Sequence, residues 1–206
     1  MTDVRPSPAA RTRASGLTDA RAFFVALRPF FGGSIDAGRV AGITAKLQAF
    51  GAAGAPIAWV AYGLATSWWE TAHTMQPVRE IGQGRGCSYG APGCHAGQVA
   101  YGRGDVQLTW DRNYERADRE LGLHGALIAD YNLALRPDIS AQVLVRGMSA
   151  GWFTGRSLGT YLPSTGRAPL AAFVAARAII NGSDHAGQIG AVAMTFQDAL
   201  AAGGWR

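Results

Sequence analysis

The stretch Ala55–Trp69 is apolar almost all round and runs straight into Glu70. A helix without a polar side has no face to turn to water, so it belongs at the centre of a helical assembly. It is too short to cross a bilayer, which takes roughly 20 residues, and it carries Thr66 and Ser67. Pro56 suits the first turn of such a helix. The chain is therefore expected to wrap other helices around this rod, with a carboxyl group emerging at its far end.

The surrounding sequence supplies those helices. Thr18 and Asp19 offer a cap for a helix containing Phe23, Phe24 and Leu27, broken near Pro29 and Gly32-Gly33. Ser34 is placed to cap a second, with Ala37, Val40, Thr44 and Leu47 at helical spacing. Pro77 is expected to stop the central helix or its extension. Gly82–Gly104 is glycine-rich and without period, which suits a loop forming one wall of a cleft. Val106–Trp110 alternates and is expected to be extended, so that Gln107 and Thr109 share a face while Val106 and Leu108 pack. Helices are predicted at Arg112–Leu121, Ser140–Ala150, Pro169–Ile180 and Asp184–Ala201, the last capped by Asp184 and burying Ile189, Val192, Phe196 and Leu200. No repeat or internal linker divides the chain, so residues 17–206 are expected to form one domain behind a loose tail, 1–16.

Composition narrows the class of partner. A hydrophobic share of 48% with 16% charged residues describes a globular protein. The net charge of +5 is carried almost wholly by arginine, Lys46 being the sole lysine. Such a balance favours an anionic partner. The basic residues are scattered and not interleaved with aromatics, which speaks against nucleic acid. Prolines at 6 and 8 interrupt the only N-terminal basic stretch, so no secretory signal is read there. Cys87 and Cys94 flank a short glycine-rich loop; a disulfide and two free thiols are equally compatible with that spacing, and a metal pair with His95 less so. His73, His95, His124 and His185 form no ligand spacing, so neither a metal nor a cofactor is assigned.

The chemistry lies in the acidic residues. The chain has four glutamates, and two of them, Glu115 and Glu120, sit in an ordinary charged segment. Glu70 emerges from a tryptophan-rich stretch, where poor hydration favours a protonated carboxyl. Glu80 follows in more polar surroundings. One carboxylic acid to protonate a leaving oxygen and one carboxylate to activate water is the pairing that glycosidic bond cleavage needs. A continuous helix would hold them about 15 Å apart; a turn at Pro77 brings them toward the roughly 6.5–9.5 Å of an inverting pair. Asp105 is the alternative base. The competing reading of Glu70 is a helix-end carboxylate paired with Arg79 or Arg103.

Three ordered segments resemble glycoside hydrolase family 19. They are Ala61–Thr66 leading to Glu70-Thr71, Tyr101–Trp110 followed by Asn113-Tyr114, and Ala178–Gly182. Gly147-Met148 and Gly151–Thr154 lie between them, so the similarity spans roughly residues 20–200. Met75–Glu80 is most similar to the phage and bacterial branch, which includes peptidoglycan-cutting endolysins. The resemblance implies a mainly α, lysozyme-like fold of two lobes around a substrate cleft, and inversion at the anomeric carbon. By position it implies Glu70 as acid and Glu80 as base, with Tyr101, Gln107, Thr109, Asn113 and Asn181 contacting sugar or holding water. Trp69 and Ala72 depart from the plant chitinases, which carry a histidine and a water-positioning threonine at those places.

The function expected from the sequence is thus an endolysin-type muramidase, cutting β-1,4 bonds between N-acetylmuramic acid and N-acetylglucosamine. A chitinase of the same family is the alternative, a lytic transglycosylase a further one, and a non-catalytic cell-wall-binding module the reading of another class. The expected partner is peptidoglycan or chitin, with no nucleic acid and no stable membrane insertion. The protein is expected to be a monomer, made in the cytoplasm and acting on the cell wall after release.

Overall fold

The computed structural model describes residues 16–206. The tail expected over 1–16 lies outside them except for Gly16, whose carbonyl accepts from the Arg206 N–H at 3.0 Å.

The apolar stretch folds as expected into a buried central helix. Helix α1 (Ala20–Leu27) and helix α2 (Ala37–Ala52) precede α3 (Ile57–Glu70), in which every residue from Val60 to Ser67 is buried. Two short strands follow, β1 (Val78–Arg79) and β2 (Arg103–Gly104), paired antiparallel with Val78 opposite Gly104. Helices α4 (Asp111–Leu121), α5 (Ala126–Ala129), α6 (Pro137–Ala150), α7 (Leu158–Tyr161), α8 (Leu170–Ala175) and α9 (Ala186–Ala202) complete the mainly α fold. One lobe gathers α1, α8 and α9 around α3; the other sets α2 against α6, beside α4, α5 and the strands. Ile189, Phe196 and Leu200 of α9 are wholly buried, as their spacing predicts, and Trp205 Nε1 donates to the Ala55 carbonyl at the root of α3.

Several local expectations give way to longer-range geometry. Asp36, not Ser34, caps α2: its Oδ1 accepts from the Arg39 N–H at 2.9 Å. Helix α3 ends at Glu70, well before Pro77, because the chain reverses through Ala72 and His73 in left-handed conformations. The His73 N–H then closes onto the Trp68 carbonyl at 2.8 Å, and the His73 ring stacks on Trp68 with centroids 3.7 Å apart. Val106–Trp110 is not a strand. Arg103 and Leu108 exchange backbone hydrogen bonds, so residues 104–107 form the tip of a tight loop in which Gln107 takes a φ of 52°. The segment 169–180 splits into α8 and a 3₁₀ turn, Ala176–Ile179. Asp184 does not cap α9; His185 occupies that position, and its side chain makes no capping bond to the helix backbone.

One buried polar node ties the two lobes together. The Lys46 ammonium is 2.7 Å from Asp105 Oδ1, and both side chains are essentially inaccessible. Ser67 of α3 donates to Asp105 Oδ1 at 2.8 Å and Ser140 of α6 to Oδ2 at 2.6 Å. Lys46 also donates to the Gly42 and Met75 carbonyls. Burial pushes its ammonium pKa down, and the Asp105 carboxylate opposes that shift. A side chain at Gly42 would place Cβ 1.9 Å from the Met75 oxygen, so only glycine lets this carbonyl reach α2.

Candidate active site

Glu70 opens into a cleft of about 250 Å³, lined also by Val106, Gln107, Thr109, Asn113, Phe153, Ile180 and Asn181. Residues from the end of α3, the 104–113 segment and the chain after the 3₁₀ turn thus converge on one carboxyl group. The cleft is only partly polar, since Val106, Phe153 and Ile180 supply apolar wall beside the amides and the hydroxyl.

The environment of Glu70 differs from the purely apolar one expected. Arg177 Nη1 donates to Glu70 Oε1 at 2.8 Å, with the glutamate side chain 18% exposed and the arginine 3%. Arg177 Nε in turn donates to the Asp184 carbonyl at 3.0 Å, which fixes the guanidinium. No other donor to Glu70 is present among the described residues, so Oε2 is left to the cleft. The cation is not the one expected: Arg79 reaches Asn132 at 3.1 Å, and Arg103 lies 3.5 Å from the centroid of the Tyr101 ring. Arg177 stands four residues before Asn181, and no pattern in the sequence pairs it with Glu70.

Of the sequence-predicted sugar contacts, Gln107, Thr109, Asn113 and Asn181 line the cleft. Gln107 Nε2 donates to the Val78 and Gly104 carbonyls, while its Oε1 packs so near Gly102 that a Cβ there would come within 2.7 Å. Thr109 donates to the Gln107 carbonyl at 2.8 Å and Asn113 to the Thr109 carbonyl at 2.7 Å. These bonds form a relay that sets the polar wall. Tyr101 does not line the cleft: it is 7% exposed, buried beneath Arg103.

Glu80 stands outside the lining of this cleft, at the end of β1. Its Oε1 accepts from the Tyr89 hydroxyl and its Oε2 from the Gly102 N–H, each at 2.9 Å. Hydrogen bonds to Cys87 and to Glu80 raise the Tyr89 phenol above its ordinary pKa, so it stays a donor. Asp105, the alternative base, is 1% exposed and fully engaged by Lys46, Ser67 and Ser140. No face of it is left for a water. Cys87 and Cys94 are both exposed, free thiols.

A structure of a chitinase C mutant superposes on 90% of this chain and 94% of its own, with a TM-score of 0.60 and 23% sequence identity. The chain has the chitinase C fold. This is the two-lobed helical architecture that the resemblance to glycoside hydrolase family 19 implies. Chitinase C from Streptomyces griseus matches with a TM-score of 0.52 at 21% identity, over 95% of this chain and 76% of that one. In sequence, endochitinase A of Zea mays is 33% identical over 70 residues, which are 34% of this chain and 22% of the maize protein. The chain thus matches about a fifth of that curated relative. No family model matches it.

Proposed function

We propose that this protein is an inverting glycoside hydrolase acting on β-1,4-linked chains that contain N-acetylglucosamine. The observation that carries the proposal is the placement of Glu70: a carboxyl group in the cleft, held on one oxygen by a buried guanidinium, facing Gln107, Thr109, Asn113 and Asn181. In this reading Glu70 Oε2 delivers a proton to the glycosidic oxygen. Glu80 is the base, steered by Tyr89 and the Gly102 amide so that its remaining lone pairs receive a proton from water. The amides and hydroxyl of the polar wall hold N-acetyl and hydroxyl groups, and Phe153 and Ile180 pack against sugar faces. The likeness in fold to chitinases is an argument by analogy, since a fold hosts many activities.

Two substrates fit that chemistry. Chitin is favoured by the named activity of the relatives. Peptidoglycan is favoured by the likeness of Met75–Glu80 to the endolysin branch and by the net charge of +5, which suits an anionic wall, and the muramidase reading rests on these two. Among the described residues no helix is long and apolar enough to cross a membrane. Release of reducing ends from purified chitin and purified peptidoglycan, with product masses, tests the proposal. Hydrolytic products from one polymer identify the substrate. Product from neither, with wall binding retained, leaves a binding module, and 1,6-anhydro products remove the base role of Glu80.

A further inference from the structure

The glycine-rich segment before β2 contains a small hairpin with a chemistry of its own. Pro92 bridges Val99, the Gly93 N–H donates to the Gln98 carbonyl at 2.8 Å, and the Gln98 N–H closes onto the His95 carbonyl at 3.1 Å. Ala96 and Gly97, both left-handed with φ of 52° and 69°, make the two-residue turn, the hairpin geometry that matches strand twist. The Gln98 side chain anchors the hairpin to its neighbours. Its Nε2 donates to the Ile128 carbonyl and its Oε1 accepts from the Tyr131 N–H, each at 2.8 Å. Cys94 and His95 are therefore displayed from a backbone fixed independently of their own side chains.

Opposite them stands Glu115, on the second turn of α4. One sulfur, one imidazole nitrogen and one carboxylate oxygen, from Cys94, His95 and Glu115, all lie within 4.8 Å of one another. His95 Nε2 is 2.6 Å from Glu115 Oε1. A tetrahedral zinc ion with bonds of roughly 2.0–2.3 Å sets its ligands about 3.3–3.8 Å apart. Rotating two partly exposed side chains by less than about 1 Å opens that space. Cys94 is exposed, so water has access to a fourth position. A surface histidine–glutamate bond alone accounts for the 2.6 Å contact; it does not account for a thiol brought to the same point from the hairpin.

We propose that Cys94, His95 and Glu115 bind a zinc ion, with water as the fourth ligand. A mixed sulfur, nitrogen and oxygen set selects zinc over magnesium or calcium, which prefer oxygen alone. The sequence reading assigns no metal because no motif marks this spacing: Glu115 lies 20 residues beyond His95 and reaches it only through the packing of α4. Binding requires thiolate and neutral imidazole, so it releases protons and weakens as pH falls. The bound ion would staple the hairpin to α4. This inference does not depend on the proposed hydrolase activity.

The experiment is a cobalt titration of the reduced full-length chain, followed by displacement with zinc and competition against a chromogenic chelator. A saturable thiolate-to-cobalt charge-transfer band that zinc abolishes is expected. Cys94→Ser removes the band, while Cys87→Ser retains it. Losing a partner one shell out typically weakens metal binding 10–100-fold, so Cys94→Ser, His95→Ala and Glu115→Gln each weaken zinc by at least about 100-fold. Zinc raises the melting temperature of the wild type and leaves that of Cys94→Ser unchanged, which separates metal loss from misfolding. A wild type without saturable binding overturns the proposal, as does a Cys94→Ser variant that binds zinc as the wild type does. Loss of the band in Cys87→Ser overturns the assignment of these three ligands.

Discussion

Arg177 reaches across from the 3₁₀ turn before Asn181 to hold Glu70 at the end of α3, Nη1 to Oε1, at 2.8 Å. A buried cation and the cleft carboxyl are thus joined although 107 residues separate them. Arg177 itself does not line the cleft, so its influence on chemistry passes through the orientation of Glu70.

Replacing Glu70 by Gln removes the proton donor while keeping size and the bond from Arg177. Turnover is expected to fall by about 10²–10⁴-fold, with the circular dichroism spectrum and melting temperature near those of the wild type. Near-normal release of reducing ends would exclude Glu70 as the acid.

Arg177→Met should lower kcat by roughly 10²-fold and leave KM nearly unchanged, since a misplacement of about 1 Å is enough for such a loss. Arg177→Lys keeps the charge, yet one ammonium replaces the planar fork that spans both Glu70 and the Asp184 carbonyl. It should fall between the two. Equal losses in the Met and Lys variants would mean that geometry, and not charge, is what Arg177 provides.

At the second carboxylate, Glu80→Gln is expected to cost about 10²–10⁴-fold in kcat. Tyr89→Phe removes one of its two donors and should cost about tenfold, the equivalent of about 1.4 kcal/mol for a partly exposed bond to a charged group. Steady-state kinetics of both variants check the order. A Glu80→Gln enzyme with intact turnover would move the base elsewhere.

The node behind the site bears on stability. Lys46→Met leaves the Asp105 carboxylate buried without its cation and should destabilise the fold by about 3–5 kcal/mol. The double variant Lys46→Met/Asp105→Leu should recover much of that loss, because an apolar pair of similar volume removes the unpaired charge. Urea unfolding midpoints measure both. A double variant no better than the single one would show that Ser67 and Ser140, left without their acceptor, dominate.

What the sequence revealed follows from the range of each interaction. Helix α3 was legible because an apolar surface on all sides has one solution, and the face of Ile189, Phe196 and Leu200 because a helix repeats locally. The meeting of Gln107, Thr109, Asn113 and Asn181 at Glu70 followed from ordered motifs. Contacts set by distant partners were hidden. Nothing near Glu70 in the chain announces Arg177, and Cys94-His95 meets Glu115 only once α4 has packed. The helix stop assigned to Pro77 was misplaced for a related reason: non-glycine residues at Ala72 and His73 adopt left-handed backbone just after Glu70, a conformation their identities do not advertise. The role of Asp105 turned on three partners from three helices, none within thirty residues of it.

The sole lysine has a practical use. With its amine sealed between α2, the Met75 carbonyl and Asp105, an acylating label finds no lysine to modify while the two lobes stay closed. Modification of Lys46, read as a single mass increment on one peptide, would therefore time the opening of the interior itself.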